Sequence, residues 1–322
     1  MEKVINLRLP HIGEQIFENI STDGLVQLFE VSTTWKVLTE NVLLKRWKGK
    51  MLEACTRRRT EIVKLLLEYC NSEDSGLNTR HEDGCTVFMS ACSYGPKDMV
   101  QLLLNHPDTN IDMNARCTYG MTAFMLACMK GNKDIVQLLL SYPNIEFNTR
   151  MNNGKTAFML ACRNGMEDIV QLLLSNPNIE LNARDDNGRT ALISACILGK
   201  KEVIQLLLDN SERIDLNTRD NDGGTGLMCA FINGNKDIVQ LLLSHPTIEL
   251  IARDNIGRTG FMWACFNGHT DFVKMLLSDS ITLEHRLSAF IAACRNRRKD
   301  TVKLLLENFD IDISDTNGIP QD

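Results

Sequence analysis

The segment TYGMTAFMLACMKGNKDIVQLLLSYPNIEFNTR (118–150) decides the fold, because close variants of it recur along the chain. A period of 34 to 36 residues means that each copy is one supersecondary unit, which cannot bury its apolar face alone. The copies must therefore stack on one another. The period is read from the turn glycines, which are Gly84, Gly120, Gly154, Gly188, Gly223 and Gly257.

Each copy predicts a turn, two helices and a return segment. In the quoted copy, Thr122 follows the turn glycine by two residues and is a suitable helix N-cap. The short helix AFMLAC then ends at Gly131, because glycine adopts the left-handed conformation at least cost. A second helix places Ile135, Leu138 and Leu139 on one face. The same reading predicts N-caps at Thr86, Thr122, Thr156, Thr190, Thr225 and Thr259, and helix ends at Gly95, Gly131, Gly165, Gly199, Gly234 and Gly268.

The pattern resembles the ankyrin repeat over roughly residues 50–322. The shared features are G-x-T, a small-residue inner helix, a glycine, I-V-x-L-L-L and an Asn-rich return segment. The resemblance implies an all-α solenoid of about eight helix-pair units with β-turn fingers. It also implies a protein-binding surface rather than a catalytic site. One departure is consistent: the family's T-P-L-H becomes Thr-Ala-Phe-Met at 122–125 and 156–159, so apolar packing replaces a histidine hydrogen-bond network.

The terminal copies are atypical, as capping repeats usually are. The first, MLEACTRRRTEIVKLLLEYC (51–70), has Arg58 where the helix-ending glycine belongs. The last, LSAFIAACRNRRKDTVKLLLEN (287–308), has Arg297 at that position. Both arginines are therefore expected at the end of an inner helix.

Residues 9–47 do not follow the repeat and predict two or three short amphipathic helices. One interpretation is an N-terminal cap on the solenoid. The other is an F-box, because the segment is similar to that family's pattern of Leu-Pro, spaced aliphatic residues, Val-Ser and Trp. On this basis we divide the chain into a helical F-box-like segment at 1–48 and an ankyrin-repeat array at 49–322. The residues that carry the resemblance are Leu9, Pro10, Ile16, Phe17, Ile20, Leu25, Leu28, Val31, Ser32 and Trp35.

The F-box resemblance implies a substrate-recruiting subunit of a cullin-RING (SCF-type) ubiquitin ligase. The F-box would bind the small adaptor subunit of the ligase, and the array would hold the substrate. The adaptor-binding residues carried over from the family are Leu9, Pro10, Ile12, Ile16 and Phe17. If the N-terminal helices are only a cap, the chain is instead a scaffold or inhibitor without a ligase role.

The candidate partner-binding groove consists of positions that vary while the frame of the repeat stays constant. They lie on the fingers and on the exposed side of the inner helices, and they combine apolar anchors with a basic border, which binding hot spots favour. The alternative is that some of these side chains pack between neighbouring inner helices. The candidate residues are Met121, Leu126, Met129, Lys130, Lys155, Leu160, Arg163, Arg189, Ile197, Ile232, Arg258, Trp263 and Phe266.

Two further series recur at fixed positions. Cysteines at the second small position of the inner helix suggest a metal or redox ladder, but stacked helices lie about 8–10 Å apart, too far for zinc ligation or disulfides. We therefore expect small, buried and poorly reactive thiols at Cys92, Cys128, Cys162, Cys196 and Cys265. A structural role in linking fingers is expected for Arg80, Arg116, Arg150, Arg184, Arg219 and Arg253.

Composition limits the remaining function classes. The net charge of −6 gives no basic excess of the kind that nucleic-acid binders usually show. No apolar stretch approaches the length of a membrane span, and the N-terminus lacks a signal-peptide core. No metal spacing, phosphate loop or nucleophile motif appears. We expect a monomeric, non-enzymatic protein of the cytoplasm or nucleus, without cofactor, metal, nucleic-acid or membrane partner.

Overall fold

The structure is a computed structural model, and it describes residues 20–28, 33–69, 76–77, 79–106, 111–276 and 282–308. The chain forms two compact units, an N-terminal unit (1–152) and a C-terminal unit (153–322). Within the described residues the regular elements are helices, joined by turns, with one isolated bridge between Arg80 and Thr86. The predicted all-α fold of paired helices is confirmed.

In the N-terminal unit, short inner helices alternate along the chain with outer helices. The inner helices α3, α5 and α7 pack in a row, and the outer helices α4, α6 and α8 form a second row beside them. Helix α2 packs against α4, and α1 packs against α2. The helices are α1 (Thr22–Leu28), α2 (Thr33–Trp47), α3 (Met51–Thr56), α4 (Thr60–Tyr69), α5 (Val87–Tyr94), α6 (Lys97–Asn105), α7 (Ala123–Lys130) and α8 (Lys133–Leu140).

The C-terminal unit repeats the arrangement. Its inner helices α9, α11, α13, α15 and α17 pack in sequence, and each contacts its own outer helix. The helices are α9 (Ala157–Asn164), α10 (Glu167–Leu174), α11 (Ala191–Ile197), α12 (Lys201–Leu208), α13 (Gly226–Ile232), α14 (Lys236–Leu243), α15 (Gly260–Asn267), α16 (Thr270–Met275), α17 (Leu283–Arg295) and α18 (Lys299–Asn308).

The predicted threonine N-caps are confirmed at all six inner helices. Thr122 and Thr156 are nearly inaccessible, and their Oγ1 atoms accept from the backbone N–H of Met125 and Met159 at 3.3 and 3.4 Å. The bond satisfies one of the amides that a helix start leaves unpaired. The outer-helix stripe is shifted slightly from the prediction: Ile135 and Leu139 are buried, whereas Leu138 is half-buried.

The glycines that end the inner helices have positive φ, with one exception. Gly131 has φ 77°, whereas Gly95 has φ −76° and ψ 163°. The difference follows from Pro96, because a residue before proline is held in the extended region. Arg58 and Arg297 occupy the left-handed region at φ 58° and 55°, although each carries a β-carbon.

Neighbouring fingers are joined by backbone and side-chain hydrogen bonds. In the N-terminal unit, the N–H of Thr118 donates to the carbonyl of Asp83 at 2.9 Å. Arg116 Nη2 donates to the carbonyl of Arg150 at 2.8 Å, and in the C-terminal unit Arg184 Nη2 donates to that of Arg219 at 2.7 Å. The structural role predicted for these two arginines is therefore confirmed.

The cysteine positions of the inner helices lie in the core. Cys92, Cys128, Cys162, Cys196 and Cys265 have no exposed surface, as the sequence predicts. Burial raises the pKa of all five thiols, because the charged thiolate is disfavoured away from water. The described residues bring together no group of three or more His, Cys, Asp or Glu side chains that could hold a metal ion.

Candidate protein-binding site

Three of the predicted groove residues offer little surface to a partner. Met121 and Leu126 of the N-terminal unit are each 9% exposed, and Leu160 of the C-terminal unit is 6% exposed. Their burial is what the alternative interpretation expects, in which some of the candidate side chains pack between neighbouring inner helices.

The remaining N-terminal candidates lie at the surface. Met129 is half-buried and Lys130 is exposed. The Nζ of Lys130 lies 5.6 Å from the ring centre of Tyr94, an exposed residue one inner helix earlier. A pocket of about 480 Å³ opens nearby, and Tyr94 and the edge of Leu126 line it together with Asp83 and Glu53.

In the C-terminal unit, four predicted residues meet in one pocket. Arg189, Ile197, Ile232 and Trp263 line a cavity of about 320 Å³. They come from a finger and from helices α11, α13 and α15, so the pocket depends on three successive copies of the repeat. Lys155 and Arg163 lie elsewhere in this unit, half-buried and exposed respectively.

Trp263 is fixed in this pocket. Its Nε1 donates to Oδ2 of Asp254 at 2.9 Å. Its ring packs edge-on against Phe266, with ring centres 5.4 Å apart and planes at 66°. Because Trp263 and Phe266 are three residues apart on α15, they lie on the same face of the helix. The pair is a rigid aromatic anchor that is only partly buried.

Arg258 completes the cluster. Its guanidinium carbon lies 4.6 Å from the ring centre of Trp263 and 5.2 Å from that of Phe266. Stacking of this kind contributes about 0.5–2 kcal/mol, depending on solvent exposure. The predicted pairing of arginine with aromatic residues is therefore present as direct contact.

The acidic side chains of the pocket were not predicted. Oδ1 of Asp220 accepts from the N–H of Asp222 at 3.1 Å and of Gly224 at 2.8 Å, so the carboxylate fixes the finger. Its Oδ2 lies 3.9 Å from Nε of Arg189. The available signal was the dipeptide Arg-Asp, which opens each of the last three fingers at 184–185, 219–220 and 253–254.

The N-terminal candidates have a different outcome. Leu9, Pro10, Ile12, Ile16 and Phe17 lie outside the described residues. Of the other residues in the F-box-like pattern, Leu25 is fully buried on α1. Adaptor binding by the five residues from Leu9 to Phe17 named above remains a prediction.

These features define a class, which is a helical repeat protein with exposed and half-buried side chains grouped in surface pockets. A family model described as "Ankyrin repeats (3 copies)" matches residues 41–117, 108–185, 178–254 and 248–317. The chain therefore belongs to the ankyrin-repeat family, whose members serve as protein-interaction modules, and the fold is an ankyrin solenoid. A comparison with curated proteins finds no significant match. None of the described helices has the length and apolar character needed to cross a membrane.

Proposed function

We propose that the chain recruits a substrate protein to a cullin-RING ubiquitin ligase, through an N-terminal F-box and a C-terminal ankyrin array. The observation that carries the proposal is the pattern from Leu9-Pro10 to Trp35, placed directly before the repeats. Helix α1 lies within this pattern, and helix α2 begins within it and extends to Trp47. The chain performs no chemistry in this role.

The two ends have separate tasks in the proposal. Leu9, Pro10, Ile12, Ile16 and Phe17 form the apolar surface that binds the ligase adaptor subunit. The array binds the substrate through its fingers and inner helices. A monomer in the cytoplasm or nucleus fits this role, because the ligase and its substrates must reach both ends at once.

The test is direct binding to the adaptor subunit. The purified chain is mixed with the adaptor and passed over a size-exclusion column, and we expect co-elution. A Leu9→Ala, Pro10→Ala variant should elute separately, whereas Gln27→Ala, at an exposed position on α1, should behave as the native chain. Absence of a complex, or a complex that the double variant leaves intact, contradicts the ligase role.

One structural observation favours a second candidate, a scaffold or inhibitor whose N-terminal helices cap the solenoid. Helix α2 packs against α4, Arg46 Nη1 donates to the carbonyl of Ile20 at 3.1 Å, and Arg59 forms an ion pair with Asp23. The packing of α2 on α4 and the ion pair attach this segment to the first repeat, and the Arg46 bond joins α2 to the residue two before α1. If they are the whole function of the segment, Arg46→Ala lowers stability and no adaptor complex forms.

A further inference from the structure

The pocket of the C-terminal unit has an apolar side that suits a branched or aromatic side chain. Ile232 is 37% exposed, and Ile197 and Trp263 are half-buried, so each leaves apolar surface open to the cavity. The hydrogen bond to Asp254 holds the Trp263 side chain in place, which lowers the conformational cost of binding here. The three apolar side chains therefore offer a surface that one apolar residue of a partner can cover.

Next to this pocket lies Arg258, whose guanidinium group forms no ion pair with a carboxylate of the described residues. Elsewhere in the same unit Arg253 Nη2 pairs with Glu284 at 2.8 Å, and Arg189 lies 3.9 Å from the carboxylate of Asp220. For Arg258, no carboxylate lies within ion-pair distance among the described residues. The stacked rings hold its planar group in place, and its N–H donors remain available to a carboxylate.

Two of the nearby aspartates, Asp220 and Asp254, are already engaged by the chain itself, whereas Asp222 is an exposed residue that lines the pocket. Oδ1 of Asp254 accepts from the backbone N–H of Ile256 and of Arg258, and Oδ2 accepts from Trp263. A second guanidinium group lies beside Phe266, since Nε of Arg298 donates to the carbonyl of Phe266 at 3.0 Å. It adds positive charge next to Arg258. The remaining N–H donors of Arg258 and Arg298 therefore lie beside Phe266, whereas both carboxylate oxygens of Asp254 already accept hydrogen bonds.

From this arrangement we infer that the C-terminal unit binds a partner segment in which an apolar residue adjoins an aspartate or glutamate. The apolar side chain enters the pocket formed by Ile197, Ile232 and Trp263. The carboxylate accepts hydrogen bonds from Arg258, beside Phe266. The inference rests on the proposed function, in that it names the kind of protein segment that the array holds.

The test uses short fluorescein-labelled peptide pools with two fixed central residues and random flanks that lack cysteine. The fixed pairs are leucine with glutamate, glutamine or lysine, each in both orders. Binding to the whole 322-residue chain is followed by fluorescence anisotropy. We expect the glutamate pools to bind most tightly, and their advantage to shrink at high salt.

Variants assign the preference to one side chain. Arg258→Gln should weaken binding of the glutamate pools on the order of tenfold, as loss of a charged anchor at a binding hot spot does. It should leave the glutamine pools within about twofold. The matched control is Lys236→Gln, which removes an exposed cation from the outer helix α14 in the same unit. Circular dichroism checks that each variant is folded.

Three results would overturn the inference. The first is tighter binding of the lysine pools, which would mean that Asp220, Asp222 and Asp254 set the charge preference. The second is equal binding of all the pools. The third is a preference for glutamate that Arg258→Gln does not change. None of these outcomes affects co-elution with the ligase adaptor. Conversely, failure to bind the adaptor leaves the peptide preference intact, so the two proposals fail separately.

Discussion

A β-carbon on Gly260 would lie 2.5 Å from Cδ2 of Phe231, so the two residues cannot both be large. Phe231 is fully buried on α13, at the position where the other inner helices carry cysteine, and its ring packs edge-on against Phe272. Gly260 begins the next inner helix, at the position where three earlier copies have Ala123, Ala157 and Ala191. A larger residue in one repeat is thus offset by a smaller one in the next.

The first prediction is that Gly260→Ala destabilises the chain by about 1–3 kcal/mol, because the added methyl group meets a buried ring. In a Phe231→Cys background, where no ring meets the added methyl group, Gly260→Ala should cost much less than it does in the native chain. Urea unfolding followed by circular dichroism measures both. The control is Gly226→Ala, whose β-carbon would lie 3.2 Å from Sγ of Cys196 and should cost less. Equal costs for the two glycines would contradict the steric account.

The second prediction concerns the left-handed conformation of Arg297. Arg297→Gly should raise the free energy of unfolding by about 1 kcal/mol, because glycine lacks the β-carbon that strains this region. Lys303→Gly, in the interior of α18, should instead lower it by about the same amount. The account is wrong if both substitutions have the same sign in urea unfolding.

The third prediction tests the buried N-caps. Thr156→Val keeps the shape of the side chain but removes the hydroxyl that accepts from Met159, and should cost about 1 kcal/mol. Thr156→Ser keeps the hydroxyl and should recover a large part of that loss. A valine variant as stable as the native chain in thermal unfolding would exclude a capping role.

The fourth prediction is a decline of stability in alkali. Burial raises the pKa of the Cys128 and Cys162 thiols in the folded chain, whereas unfolded cysteine ionises near pH 8.5. The stability from these neutral thiols is therefore complete below about pH 8.5 and is lost as the pH rises above it. Urea midpoints on either side of that pH measure the decline.

A cysteine-to-alanine variant separates the thiols from lysine and tyrosine, which also titrate in alkali. The double variant Cys128→Ala, Cys162→Ala should show a smaller decline than the native chain. An unchanged decline would show that other groups cause it.

Features set by local chemistry could be predicted from the sequence, and features set by neighbouring repeats could not. Thr122 and Gly131 act within one helix, so their roles follow from residue type and spacing. The departure at Gly95 was also predictable, because Pro96 follows it. The burial of Leu126 and the openness of Ile232 depend instead on side chains from adjacent copies, which the repeat pattern does not specify.

The same limit applies to the candidate site. The sequence indicated Arg258, Trp263 and Phe266 as groove residues, but not their stacking. The bond from Trp263 to Asp254 joins residues nine positions apart in a finger and a helix. It depends on the path of the finger, so residue types alone could not reveal it.

The central claim is that one chain joins a ligase adaptor at its N-terminus to a substrate at its C-terminal unit. The most direct measurement is quantitative affinity purification with mass spectrometry, which compares the native chain with two variants. Leu9→Ala, Pro10→Ala should lose the adaptor and retain the other partners, whereas Trp263→Ala, Phe266→Ala should retain the adaptor and lose the substrate. If the first variant retains the adaptor, or the second retains every partner while folded, the claim is contradicted.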